Sequence, residues 1–265
     1  SAAAHATTLA MASGDFDGDG YDDVVFSSYF WPAQVMFGSA SGLTADGNRM
    51  LGFEGRPLVS GDTNGDGYDD IAIGLVDDPI VFDTVNVIPG SPTGPDEEAV
   101  QIWHRDVPGM RGKAEHVTWF GTDLTIGRFN DDEFDDLAIG AHGREGDPHG
   151  ESGTVHVIYG TANGLSADGN QIWHQDRPRV KNRNDYREGF GDQVRAGDYD
   201  GNGIHDLLIS VPREDGRRVR DKGRVAIIFG QHDRLRAKNN QTWSQSSPGI
   251  RGVPQRGDAF GGRRS

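Results

Sequence analysis

The chain has 265 residues, 34% of them hydrophobic, with 39 glycines, no cysteine and a formal net charge of −15. That length supports one large domain with a sizeable core. The missing cysteine excludes disulfide staples and thiol chemistry, and no apolar run reaches the length of a membrane helix.

In chain order, the first legible element is the acidic loop Asp15-Phe-Asp-Gly-Asp-Gly-Tyr-Asp-Asp23, which runs into the apolar segment Val24-Val-Phe26. A second β-prone run follows and ends in glycine, Val35-Met-Phe-Gly38, before the turn Ser41-Gly-Leu-Thr-Ala-Asp-Gly-Asn48. The pattern restarts with Asp62-Thr-Asn-Gly-Asp-Gly-Tyr-Asp-Asp70, Ile71-Ala-Ile73, Val85-Asn-Val-Ile-Pro-Gly90 and Gln101-Ile-Trp103. A third unit opens with Phe120-Gly121 and carries Arg128-Phe-Asn-Asp-Asp-Glu-Phe-Asp-Asp136, Val155-His-Val-Ile-Tyr-Gly160, Asn163-Gly-Leu-Ser-Ala-Asp-Gly-Asn170 and Gln171-Ile-Trp173. The fourth has Phe190-Gly191, Asp198-Tyr-Asp-Gly-Asn-Gly-Ile-His-Asp206, Leu207-Leu-Ile209, Val225-Ala-Ile-Ile-Phe-Gly230 and Gln241-Thr-Trp243. Phe260-Gly261 then begins a fifth. Short β-branched and aromatic runs separated by Gly, Asp and Asn turns predict an all-β fold of four strands per unit.

The loops have the chemistry of a hard-cation cage. Oxygen-bearing side chains at positions one, three, five and nine, with glycines at four and six, bring several oxygens to one point. Calcium takes about six to eight oxygens at roughly 2.4 Å. Asp, Asn and Gly are also common turn formers, so one copy alone would be compatible with a solvated acidic turn. The expected ligands are Asp15, Asp17, Asp19 and Asp23; Asp62, Asn64, Asp66 and Asp70; and Asp198, Asp200, Asn202 and Asp206. The main-chain carbonyls of Tyr21, Tyr68 and Ile204 add one oxygen each. An EF-hand would need an acid at position twelve, where this chain has Phe26, Ile73 and Ile209. In the third loop Arg128 replaces the first carboxylate and Glu133 the second glycine. Asn130, Asp132 and Asp136 are left as a weak or lost site, with the guanidinium standing in for the ion's charge. The four loops together hold 17 acids and one arginine, so the rest of the chain is within one charge of neutral. The acidity belongs to the loops, which points to bound metal rather than an acidic shell.

With these loops, the strand-ending glycines and the Phe-Gly pairs at 120, 190 and 260, the chain resembles the FG-GAP repeat family, the calcium-bearing blades of integrin alpha-subunit propellers and of secreted bacterial proteins. Phe53-Glu54 and Ala6-Thr-Thr-Leu-Ala10 depart from the pattern at the openings of the first two units. The resemblance implies a β-propeller of four-stranded antiparallel blades over 1–265. The blades fall at about 1–52, 53–119, 120–189 and 190–259, with 260–265 starting another, as part of a seven-bladed ring or as a self-closed four-bladed one. It also implies three calcium ions, an extracellular or secreted location and a role in adhesion-type binding. Calcium loops of extracellular modules suit millimolar calcium.

In an up-and-down blade, the calcium loops and Gly-Leu turns share one face and the other connections share the opposite one. Basic residues collect in those other connections, among them Arg179, Arg183, Arg213, Arg217, Arg218 and Arg220. They are either a mixed solvated surface or a site for a protein or glycan partner of anionic character. No nucleic-acid partner and no membrane span is expected. Arg256-Gly257-Asp258 spells an adhesion tripeptide, yet it occupies the place that Glu188 holds ahead of Phe190. His142 and His149 lack the closely spaced partners of a transition-metal site. No Gly-x-Ser-x-Gly elbow, phosphate-cradling loop or zinc-protease helix occurs. The sequence therefore reads as a non-catalytic module, or else as the accessory propeller of a secreted phospholipase or protease.

Overall fold

The computed structural model describes residues 9–28, 31–75, 84–112, 118–143, 153–180, 188–214 and 220–262. Among the described residues, sixteen strands form four separate four-stranded sheets, every strand pairing antiparallel and in up-and-down order. The first sheet holds β1 (Ala10–Gly14), β2 (Asp23–Ser28), β3 (Trp31–Met36) and β4 (Arg49–Met50); the second holds β5 (Leu58–Gly61), β6 (Asp70–Leu75), β7 (Thr84–Ile88) and β8 (Gln101–Trp103). The third comprises β9 (Thr118–Gly127), β10 (Asp136–Gly143), β11 (Thr154–Tyr159) and β12 (Ser166–Trp173). The fourth comprises β13 (Val194–Gly197), β14 (Asp206–Val211), β15 (Arg224–Phe229) and β16 (Arg236–Trp243). The sheets are blades of a β-propeller. Among the described residues no helix is long and apolar enough to cross a membrane.

The blades stack face to face, with β1 beside β5, β5 beside β9 and β9 beside β13. Strand alternation dictates this, because successive side chains point to opposite faces of a sheet. In β6, Ile71 and Ile73 pack toward the first blade while Ala72 packs toward the third. In β10, Leu137 and Ile139 face the second blade and Ala138 the fourth. The core is therefore three layers between blades rather than one central mass. Bulky residues on each leading face meet small ones on the preceding blade's trailing face, as close packing requires.

Two repeated signatures acquire a reason here. Phe120 and Phe190 are buried in the inter-blade layers, and the glycines after them sit at φ +94° and +90°. The left-handed turn carries the chain past the previous blade's backbone: a Cβ on Gly74 would lie 2.6 Å from the carbonyl of Gly121. Only glycine permits both the turn and the approach. The repeated tryptophans close the layers from outside. Trp173 is 1% exposed, with the guanidinium of Arg177 3.9 Å from its ring centroid.

Candidate metal centres

Each loop is a chain of carboxylate-to-backbone bonds. The first aspartate folds the loop around itself, with Asp15 accepting the N–H groups of Gly18, Asp19 and Gly20 at 2.7, 3.1 and 2.9 Å. Asp62 accepts from Gly65, Asp66 and Gly67, and Asp198 from Gly201, Asn202 and Gly203, at closely matching lengths. Glycines four and six take φ of +73° to +88° in all three loops. Position three then accepts the N–H of position five, and position five that of position seven.

The outcome is a knot of oxygens. Carboxylate oxygens of Asp15, Asp17 and Asp19 lie within 4.8 Å of one another, as do those of Asp198, Asp200 and Asp206. Burial, and then the neighbouring charges of Asp19 and Asp15, push the Asp17 carboxyl above its ordinary range. Such crowding favours either a proton or a dication. In the second loop Asn64 supplies a neutral oxygen at position three, while its amide donates to Asp66 Oδ2 at 2.9 Å.

Position nine has a second role, absent from the sequence reading. Asp23 Oδ2 accepts the N–H of Phe16 at 2.9 Å and its Oδ1 accepts that of Gly38 at 2.7 Å. Asp70 holds Thr63 and Gly90 in the same way, Asp136 holds Phe129 and Gly160, and Asp206 holds Tyr199 and Gly230. All four acids are buried, and burial drives the carboxyls of Asp70 and Asp136 up to about 6 and about 8. This clamp ties the loop to the end of the third strand of its own blade. It explains the strand-ending glycine, because a Cβ on Gly90 would meet the Tyr68 side chain and the Asp69 carbonyl, both at 2.6 Å.

Positions seven and eight reach across the blade boundary. The Asp69 N–H donates to the carbonyl of Asp15 at 2.9 Å, and Asp69 Oδ2 accepts the Asp15 N–H at 3.1 Å. Asp135 does the same for Asp62 and His205 for Arg128. The ring of Tyr68 covers Gly18, and that of Phe134 covers Gly65. The position-one residue of each of the first three loops is thus held by the next blade.

The third loop keeps this scaffold with a different donor set. Arg128 Nη2 donates to the Glu133 carbonyl at 3.4 Å, and its Nε lies 3.8 Å from Asp135 Oδ1. Asn130 donates to Asp132 Oδ2 at 2.6 Å. Asn130, Asp132 and Asp136 remain adjacent, with a cation of the chain's own at position one.

The FG-GAP repeat profile matches residues 8–47 and 190–228, which contain the first and fourth loops. The chain carries FG-GAP repeats. Integrin alpha-PS3 of Drosophila melanogaster is 31% identical over 107 residues, covering 40% of this chain and 9% of that protein. Phosphatidylinositol-glycan-specific phospholipase D of Mus musculus is 31% identical over 133 residues, 50% of this chain and 15% of the relative. The chain thus matches only a small part of each curated relative. Among solved structures, the chain is similar to BBS1N in its complex with ARL6DN (TM-score 0.49, 10% identity, 87% of this chain and 55% of that one). It is also similar to the rhamnogalacturonan lyase YesX (TM-score 0.43, 12% identity, 84% and 45%).

Among the described residues, the predicted partner-binding arginines occupy two separate places. Arg213 and Arg220 share the β14–β15 connection, where the Arg213 N–H donates to the carbonyl of Glu188 and the Arg220 carbonyl accepts from Gly257. Arg217, Arg218 and Arg183 lie outside the described residues. Arg179, at φ +73°, instead lines a cleft of about 570 Å³ with Asp200, Phe229 and Arg236, next to the fourth loop. Arg224 is drawn inward, 3.3 Å from the buried Glu214. Asp258 of the adhesion tripeptide is exposed and caps its own turn by accepting from Gln255, whereas Glu188 is buried. The side chains of His142 and His149 lie outside the description.

Sequence reading also missed Arg49 and Leu51, which align with Gln171 and Trp173 behind the duplicated turn. Gln101 exchanges hydrogen bonds with the backbone N–H and C=O of Leu165 in the next blade. Arg49 donates to the carbonyls of Thr93 and Pro95 in the corresponding turn of the second blade. The near-identity of 41–48 and 163–170 was the signal that identifies the pair.

Proposed function

We propose that the chain is a calcium-stabilised, non-catalytic interaction module of the extracellular space, whose blades present a protein or glycan partner with the face opposite the calcium loops. One observation carries the metal reading. Two loops each bring three carboxylates within 4.8 Å of one another, the second repeats their backbone fold with Asn64 in place of one acid, and the one loop that lacks the first carboxylate has an arginine there. The ligands are Asp15, Asp17, Asp19 and Asp23 with the Tyr21 carbonyl, Asp62, Asn64, Asp66 and Asp70 with that of Tyr68, and Asp198, Asp200, Asn202 and Asp206 with that of Ile204. An all-oxygen donor set of this kind suits calcium over softer metals. When bound, the ion neutralises the crowded carboxylates and fixes each loop, and through it the blade boundary.

The blades are delimited near 1–52, 53–119, 120–189 and 190–259. The integrin match supports a protein partner. Millimolar extracellular calcium would keep such loops filled, which supports secretion. The phospholipase D match supports the second reading, an accessory propeller beside a hydrolase. The experiment is a calcium titration of the chelator-treated protein by calorimetry with parallel melts. Three sites and a raised melting temperature are expected; a melt indifferent to EDTA and calcium overturns the metal reading. For the partner face, substituting Arg213, Arg217, Arg218 and Arg220 together by serine should abolish retention on an anionic glycan matrix, and unchanged retention overturns that part.

A further inference from the structure

Two of the three blade boundaries are closed at their outer edge by a strap. Between the second and third blades, the connection 104–112 lies against β12. Its Val107 and Met110 pack on the inter-blade layer together with Ala167. Asn170 donates to the Gly109 carbonyl at 2.8 Å and accepts the Arg111 N–H at 2.9 Å, and a Cβ on Gly112 would lie 3.0 Å from Cδ1 of Ile172. Between the third and fourth blades, residues 174–180 repeat the arrangement, with Asn240 donating to the Arg179 carbonyl and Val180 buried.

The boundary between the first and second blades has no strap. Only Leu51-Gly-Phe-Glu-Gly-Arg-Pro57 joins β4 to β5. Val100 stands where the later blades have the strap-holding Asn170 and Asn240. Glu97, in place of Ala167 and Ala237, turns back to accept the Gly52 N–H at 2.5 Å and to pair with Arg49 at 3.7 Å. Ile102, in place of the covered Ile172, is 56% exposed. This boundary lies between two blades whose eight strands are all described, so its opening is independent of whatever precedes or follows the chain.

A second departure goes with the first. Val35 pairs with Arg49 as Val157 pairs with Gln171 and Ile227 with Gln241, which sets Trp31 at the place of Gly153 and Gly223. A Cβ on either glycine would run into the backbone of the incoming Phe190 or Phe260. At the first boundary Gly55 donates to the Ser28 carbonyl as Gly191 does to that of Ser210, so Glu54 holds the place of Phe190, and the side chain at position 31 is tolerated. The Trp31 indole is 66% exposed. Ala33 and Val35 belong to the layer between the first two blades, so strand alternation turns Trp31 toward the same boundary. Exposed acids stand on both connections that frame this corner, Glu54 ahead of β5 and Glu98 ahead of β8.

We propose that the outer corner of the boundary between the first and second blades is a docking site for a loop of a protein partner, a Pro-Gly turn that carries an apolar side chain followed by an arginine. The chain's own straps define that occupant. Asp106-Val-Pro-Gly-Met-Arg-Gly112 fills the same place at the next boundary, with Met110 as its apolar plug. A partner loop of this build would set its apolar residue against Ile102 and Trp31, and its guanidinium would complement the charge of Glu54 and Glu98. The inference rests on the protein-partner reading above, and it locates that contact where Trp31 leaves the β2–β3 connection, on the face opposite the calcium loops.

The probe is the synthetic peptide with the sequence of residues 104–112, titrated to millimolar concentration into the isotope-labelled full chain in calcium and followed by nuclear magnetic resonance. Saturable shifts are expected at the Trp31 indole N–H and at the Val100 and Ile102 amides. Ile102→Asp and Trp31→Ser, both changes of exposed side chains, should each weaken binding by about tenfold or more, with melts matching the wild type. A peptide carrying aspartate in place of its methionine should not bind. Absence of saturable shifts overturns the proposal. So do shifts centred on Asn170 and Ile172, which would mean displacement of the chain's own strap, or an affinity unchanged in both variants. The calcium titration and the glycan-retention assay involve none of these residues, so a failed peptide titration removes this docking site and leaves those readings to their own tests.

Discussion

The third and fourth loops have nearly the same backbone and opposite electrostatics. Both hang from a buried position-nine aspartate that accepts two backbone N–H groups, and both are fastened at position one to a neighbouring blade or present the groups for it. In the fourth, three carboxylates converge on one point. In the third, a guanidinium takes the place of the first. The difference separates two jobs that the repeat superimposes. Position nine clamps the blade in both loops, while the acids at positions one and three, replaced by Arg128 and Asn130 in the third loop, make the fourth a candidate for a cation.

Removing the shared element should have the largest effect. In EDTA, Asp206→Ala and Asp136→Ala each strand two buried N–H groups, and each should cost about 2–6 kcal/mol at about 1–3 per unsatisfied group, with a further loss in calcium only for Asp206, a proposed ligand. Urea denaturation of both variants checks this; a cost seen only at Asp206 would break the comparison. Next comes the ion itself. At a calcium level a hundredfold above the dissociation constant, Asp198→Ala should forfeit about 2.7 kcal/mol, a loss absent in EDTA. The reverse exchange, Arg128→Asp with Glu133→Gly, should give the third loop a calcium response of about the same size. Calorimetric stoichiometry reads both, and a wild-type third loop that already binds calcium would erase the distinction.

A smaller effect concerns pH. Burial lifts the Asp136 carboxyl from 3.8 to about 8 in the folded protein. The folded state therefore holds a proton that the unfolded chain has released, and stability falls as pH rises through that window. Melts of the calcium-free protein should decline from pH 4 to 8, and Asp136→Asn should flatten the slope. The smallest effect belongs to Arg128→Ala, which removes a partly exposed ion pair with Asp135 and a long hydrogen bond to the Glu133 carbonyl and should change stability by about 0–1 kcal/mol.

The strands, the four-unit repeat and the oxygen donors of the loops were legible because each rests on local chemistry: β-branched runs, turn glycines and carboxylate spacing. What was illegible is whatever joins residues about 50 to 80 positions apart. Asp69 looks like one more acid of a calcium loop, yet its side chain belongs to the blade before it. Arg49 hides because arginine can replace glutamine when the partners are carbonyls. The strand-ending glycines were visible, but not the clamp that requires them. The basic connections read in sequence as either a mixed solvated surface or a partner site, and the fold sends Arg179 to the edge of the fourth loop and Arg224 inward to Glu214.

The peptide groups of Asp15 and Asp62 are held by the blade that follows, and their carboxylates are the first donors of their loops. Occupancy of such a loop and closeness of two blades are then linked quantities, each raising the other by the same factor. A pulling force that pries neighbouring blades apart would loosen the ion before any strand unpairs, and calcium depletion would soften the boundary to the same force. On the proposed calcium reading the stack would be a chemically tuned spring, with its stiffness set by the calcium around it.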